Sequence, residues 1–113
     1  MKKAKIKVFT KLNNIEENNE FLAIKSSNLI KYIDLENNKM IIDMDNNVII
    51  RENSDYLFNL DFGNNKIIIK LKKLNKEFEK IIKIITISKS NTSYIVRYLL
   101  VDENIINEYY VKF

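Results

Sequence analysis

Cysteine and histidine are both absent from the 113 residues. The chain therefore has no disulfide framework, no thiolate nucleophile, no imidazole base and none of the favoured zinc or copper ligands. Packing alone must hold such a small domain, and a cysteine-free composition fits a reducing compartment. Proline is also absent and glycine occurs once, at Gly63. That excludes glycine-rich phosphate-cradling loops and leaves no linker to mark a domain boundary. No apolar run approaches the ~18 to 20 residues of a membrane-spanning helix. Lysines at positions 2, 3, 5, 7 and 11 break up the apolar residues of the first twelve positions, which lack the unbroken stretch of a signal peptide. The expectation is one cytoplasmic domain over 1–113, with no membrane partner, no metal and no cofactor. In that setting the sequon at Asn91-Thr92-Ser93 is a chance match.

What is present points to β-structure. The apolar residues are chiefly Ile, Leu, Val, Phe and Tyr, which suit pleated, half-buried surfaces. The counts of seventeen Asn, twenty Ile and seventeen Lys are those of a low-GC genome, so the net charge of +4 is weak evidence for an anionic partner. With proline and glycine missing, asparagine does the punctuation, because it tolerates the left-handed backbone of tight turns. Asn13-Asn14, Asn18-Asn19, Asn37-Asn38, Asn46-Asn47, Gly63-Asn64-Asn65 and Asp102-Glu103-Asn104 all separate apolar runs. Between them, period-two alternation is plain in Ile6, Val8, Thr10 and Leu12, in Tyr56, Phe58, Leu60 and Phe62, and in Tyr94, Val96, Tyr98 and Leu100. Further strands are expected over 20–26, 29–36, 39–45, 48–52, 66–72, 78–88 and 105–113, about nine or ten in all.

One segment supports two readings. Leu71, Leu74, Phe78, Ile81 and Ile85 follow steps of three and four, as on an amphipathic helix. Against that, Ile82, Ile84 and Thr86 alternate with Lys83, and β-branched residues dominate 81–87. The expectation is two strands with a turn near Asn75.

Any catalysis would fall to carboxylates, lysines or tyrosines. Asp34 with Glu36, and Asp43 with Asp45, are spaced to share a strand face, as an acid/base pair or hard-metal site requires. The run from Asp43 begins like a calcium loop, but Val48 stands where glycine is needed and Ser54 where the bidentate glutamate belongs. Their ordinary role is to solvate strand ends. Lys5, Lys7 and Lys11 on one strand, with Lys66, Lys70 and Lys72 on another, could track phosphates. Lysines on the wet side of strands also deter edge-to-edge pairing, and only Arg51 and Arg97 offer the guanidinium fork.

The order Tyr32-Ile33-Asp34, then Val48-Ile49-Ile50-Arg51 leading into Leu57-Phe58-Asn59-Leu60-Asp61-Phe62, then Thr86-Ile87, Tyr98-Leu99-Leu100 and the closing strand resembles the YwiB-like family of bacterial proteins of unknown function. The likeness covers roughly 5–113. Departures are Asn53 in place of the family's glycine after the arginine, Tyr-x-Asp for Tyr-x-Glu, and a missing glycine turn before the strand near Thr86. The resemblance implies a calycin-like antiparallel barrel of eight to ten strands with a lipocalin-like interior, and no known reaction.

The sequence thus predicts an all-β fold, a small antiparallel meander barrel with little or no helix, because closure hides the edges of many short strands. The leading function is noncatalytic binding of a small apolar or amphipathic ligand, lined by Tyr32, Arg51, Phe58 and Tyr98, with an inward arginine needing an anionic partner. The alternatives are a single-stranded nucleic-acid binder using the lysines and a protein-interaction or assembly module, as monomer or homodimer.

Overall fold

The computed structural model describes residues 2–113. Ten strands follow one another: β1 (Lys2–Leu12), β2 (Ile15–Lys25), β3 (Leu29–Ile33), β4 (Lys39–Asp43), β5 (Val48–Glu52), β6 (Tyr56–Asp61), β7 (Lys66–Leu71), β8 (Lys76–Lys89), β9 (Ser93–Leu100) and β10 (Ile105–Lys112). Each pairs antiparallel with its sequence neighbour, and β1 pairs with β10, so the meander closes into a barrel. Among the described residues the only helical element is one 3-10 turn at Phe62–Asn64.

Asparagine sets the turns. Among the described residues, every one other than glycine with positive φ is an asparagine: Asn13, Asn14, Asn37, Asn47, Asn65, Asn75 and Asn104. Asn13 and Asn14, at φ 52° and 66°, form a two-residue turn whose twist matches that of the long β1–β2 hairpin. Aspartates brace other turns from within. Asp43 accepts hydrogen bonds from the backbone and side-chain amides of Asn46, and Asp61 does the same for Asn64. Asn18-Asn19, expected as a turn, lies inside β2 opposite Phe9 and Val8. Two adjacent asparagines carry no turn where the neighbouring strand continues past them, so β2 begins at Ile15 rather than near residue 20.

The contested segment is two strands. β7 ends at Leu71, the chain turns through Asn75, and β8 follows. A bulge between Ile84 and Thr86 leaves Ile85 unpaired, so the inward face passes from Ile82 and Ile84 to Ile87. Thr86, expected to continue the face of Ile84, pairs with Arg97 instead.

The inner wall is apolar: Ile6, Val8, Ile30, Ile42, Ile49, Leu60, Ile67, Ile82, Val96 and Val111 are buried. One end of the barrel is filled. Phe62 from the 3-10 turn meets Tyr98 at 5.2 Å between ring centres, Met44 is buried beside the β4–β5 turn, and the Tyr94 hydroxyl donates to Asn47 Oδ1. At the other end the interior opens among the turns that follow β1, β3, β5, β7 and β9.

Candidate functional site

Register builds the open end. Because paired residues share a face, the ladder Tyr32–Met40–Arg51–Phe58–Ile69–Phe78 runs across β3 to β8 as one row of the inner wall. A row from the facing wall joins Ile84, Tyr98 and Asn107. Tyr109 on β10 lies opposite Val96 and Thr10. Two lobes of about 280 and 450 Å³ lie between these walls, and both are lined by Leu12, Asn13, Arg51 and Tyr109.

Arg51 lines both lobes. Its Nη2 donates to Glu36 Oε2 at 3.0 Å, and its Nε lies 3.9 Å from Asp34 Oδ2, beyond hydrogen-bond reach. The Nε is buried and has no acceptor. Asp34 is already committed to its own turn: Oδ1 accepts from the backbone amides of Glu36 and Asn38, and Oδ2 from Asn38 Nδ2. The anionic partner expected for an inward arginine is therefore supplied by the chain itself, through Glu36 and the adjacent Asp34.

Tyrosines surround this cation. Tyr98 accepts from Asn107 Nδ2 at 3.4 Å, while Asn107 Oδ1 takes the backbone amide of Asn13. Burial pushes the Tyr98 hydroxyl up to about 12, with Asn107 opposing the shift. Burial likewise raises Tyr32 and Tyr109, reinforced by Asp34 and opposed by Arg51. All three hydroxyls are neutral at physiological pH. Among the described residues, those of Tyr32 and Tyr109 make no hydrogen bond, and both rings line the lobes. The ring of Phe21 covers Tyr32 at 4.9 Å.

The lobes differ in character. The smaller is mixed, with Thr10, Glu17, Asn19, Asp34 and Glu36 beside Val8, Phe21 and Met40; the larger is walled by Phe58, Leu60, Ile67, Ile69 and Leu100, with Lys80 ion-paired to Glu103 at its rim.

The four expected lining residues meet at this end: Tyr32 and Arg51 border the smaller lobe, and Arg51, Phe58 and Tyr98 the larger. Tyr109, Asn107 and Lys80 were missed. Asn107 shares its strand face with Tyr109 and Val111, and Lys80 falls between Phe78 and Ile82; a polar residue on an apolar face was the signal. The two lysine sets are not brought together, since β10, β9 and β8 separate β1 from β7. Lys66 and Lys72 pair with Glu79 and Glu52, Lys70 faces Glu77 across its ladder, and Lys7 and Lys11 face Glu20 and Glu16, while Lys5 faces Leu22. Asp34 with Glu36, and Asp43 with Asp45, do not share a strand face: β3 ends at Ile33 and β4 at Asp43, so each pair folds into a turn. The Asn46 side chain holds Asp43 below the usual carboxylate range. No family model, no curated protein and no solved structure matches this chain, so its chemistry is read from its own residues.

Proposed function

We propose that the protein is a noncatalytic binder of a small amphipathic molecule, held in the open end of a calycin-like, lipocalin-like barrel. One observation carries this: an arginine, with a buried Nε lacking an acceptor, lines two cavity lobes beside two largely buried tyrosines whose hydroxyls have no protein partner. The apolar wall of the larger lobe suits the hydrocarbon part of the guest. A polar end group would accept from Tyr32, Tyr109 and the Arg51 guanidinium. Since Glu36 already balances Arg51, a neutral acceptor serves as well as an anion. The lobes together suit a molecule of a few hundred daltons.

Native mass spectrometry of protein taken directly from cells, compared with its denatured mass, tests the reading. A discrete added mass that disappears on denaturation is the expected result. Arg51→Ala should weaken retention roughly tenfold, as removal of one charge-assisted hydrogen bond does. A bare chain that also fails to take up any member of an amphipathic ligand panel would overturn it.

A further inference from the structure

The barrel closes unevenly. β2 pairs with β1 along its whole length, but only two of its eleven residues, Ile24 and Lys25, pair with β3. β1 in turn meets β10 only from Lys7 to Lys11. The β1–β2 ribbon therefore crosses the seam diagonally and has two free edges, one on β2 before Ile24 and one on β1 before Lys7.

The tight turn fixes which backbone groups are free. A two-residue hairpin makes Leu12 and Ile15 a hydrogen-bonded pair, and alternation then turns the amides and carbonyls of Glu16, Asn18, Glu20 and Leu22 away from β1. By the same count Lys3 and Lys5 present theirs on the opposite edge. The two edges carry opposite charge. Among the described residues Glu16, Glu20, Lys3 and Lys5 form no salt bridge, although Glu16 and Glu20 face Lys11 and Lys7 across the ribbon, whereas Glu52, Glu79 and Glu103 are each bonded to a lysine. The β2 edge has no lysine, proline or bulge to repel a strand. It is instead flanked by exposed apolar side chains: Ile15, Leu22, Ile24, Ile33 and Leu35.

We infer that the β2 edge of one copy receives the β1 edge of a second copy, joining the barrels head to tail by strand addition. The added β1 would run antiparallel to β2 and continue the alternation of the ribbon. With Lys3 opposite Glu20, Lys5 would stand opposite Asn18, diagonally placed between Glu16 and Glu20. Pairing like edges would oppose glutamate to glutamate or lysine to lysine, so charge selects the mixed pairing. Because each copy carries one edge of each kind, association can continue beyond two copies.

Sedimentation velocity of the full chain over a concentration series tests this. The mass should rise with concentration and fall with added salt. Glu20→Pro removes one outward amide without touching the β1 ladder; it should keep the barrel's circular dichroism and weaken association roughly tenfold or more. Lys3→Glu with Lys5→Glu, and Glu16→Lys with Glu20→Lys, should each abolish self-association, and mixing the two double variants should restore it. A chain that stays monomeric up to about 1 mM, the weak end of specific binding, would overturn the inference. So would association that is indifferent to these substitutions, whether the occupant is then another face of this chain or none.

Discussion

At the scale of single residues, the open end is held by a relay of amides rather than by the arginine it surrounds. Asn38 is 1% exposed; it donates to Asp34 Oδ2 and accepts from Asn53 Nδ2, while Asn53 Oδ1 takes the backbone amides of Asp55 and Tyr56. The relay ties the β3–β4 turn to the β5–β6 turn and so fixes Glu36 and Asp34 around Arg51. Asn38→Ala would leave the Asn53 amide and one Asp34 lone pair without a partner in a half-buried setting. It should cost about 2 to 3 kcal/mol in a urea titration, against about 0.5 kcal/mol or less for the exposed Asn18→Ala. The left-handed asparagines make a second case. Asn75, at φ 49°, turns β7 into β8 with its amide bonded to the Lys72 carbonyl at 3.3 Å. Asn75→Gly should leave stability within about 0.5 kcal/mol, whereas Asn75→Ala should lose about 1 kcal/mol, because alanine has no local hydrogen bond to offset the left-handed strain.

At the scale of elements, the strands were legible wherever an inner face alternates without interruption. The strand 48–52 stands as expected, and 105–113 and 66–72 end one residue sooner. Three features were not legible, each for a physical reason. The asparagine pair at 18–19 reads as a turn, but the ladder with β1 overrides local preference. The expected strands 29–36 and 39–45 run past their ends because Asp34 and Asp43 resemble outward strand residues, while their side chains in fact close turns. The bulge in β8 cannot be read from a run as uniformly β-branched as 81–87, since either parity buries an isoleucine. In the site, Arg51 and Tyr32 fall on the inward parity of short strands. Tyr109 was missed because Tyr110 beside it fits the opposite parity equally well. The bulge makes a direct prediction. Ile85, 45% exposed, should accept lysine within about 0.5 kcal/mol, while Ile82, 2% exposed and facing Leu100, should lose about 2 to 5 kcal/mol on truncation to alanine. Equal costs at the two positions in thermal or urea unfolding would place the bulge elsewhere.

At the scale of the whole molecule, the barrel is stabilised by keeping its tyrosines protonated. Tyr94 is raised by burial with Asp43 adding to the shift, and Tyr98, Tyr32 and Tyr109 are raised by burial around Arg51. They occupy β3, β9 and β10, on both walls of the interior, so no local movement exposes all four. The sign follows from proton counting. Above the ordinary tyrosine value near 10 the unfolded chain releases protons that the folded barrel retains, so the unfolded state gains and stability falls as pH rises toward the folded values, about 12 for Tyr98. Below pH 10 this contribution is fully present. Each tyrosine alone sets a limiting slope of about 1.4 kcal/mol per pH unit, and four acting together make the alkaline limb steep. Titration followed by tyrosinate absorbance and by far-ultraviolet circular dichroism should therefore show these tyrosines ionising in the same cooperative step in which the β-signal is lost. Tyr98→Phe removes one titrating group and should shift that step to higher pH. Smooth, noncooperative ionisation of all the tyrosines with the barrel intact would mean that the interior is wetter than its packing implies.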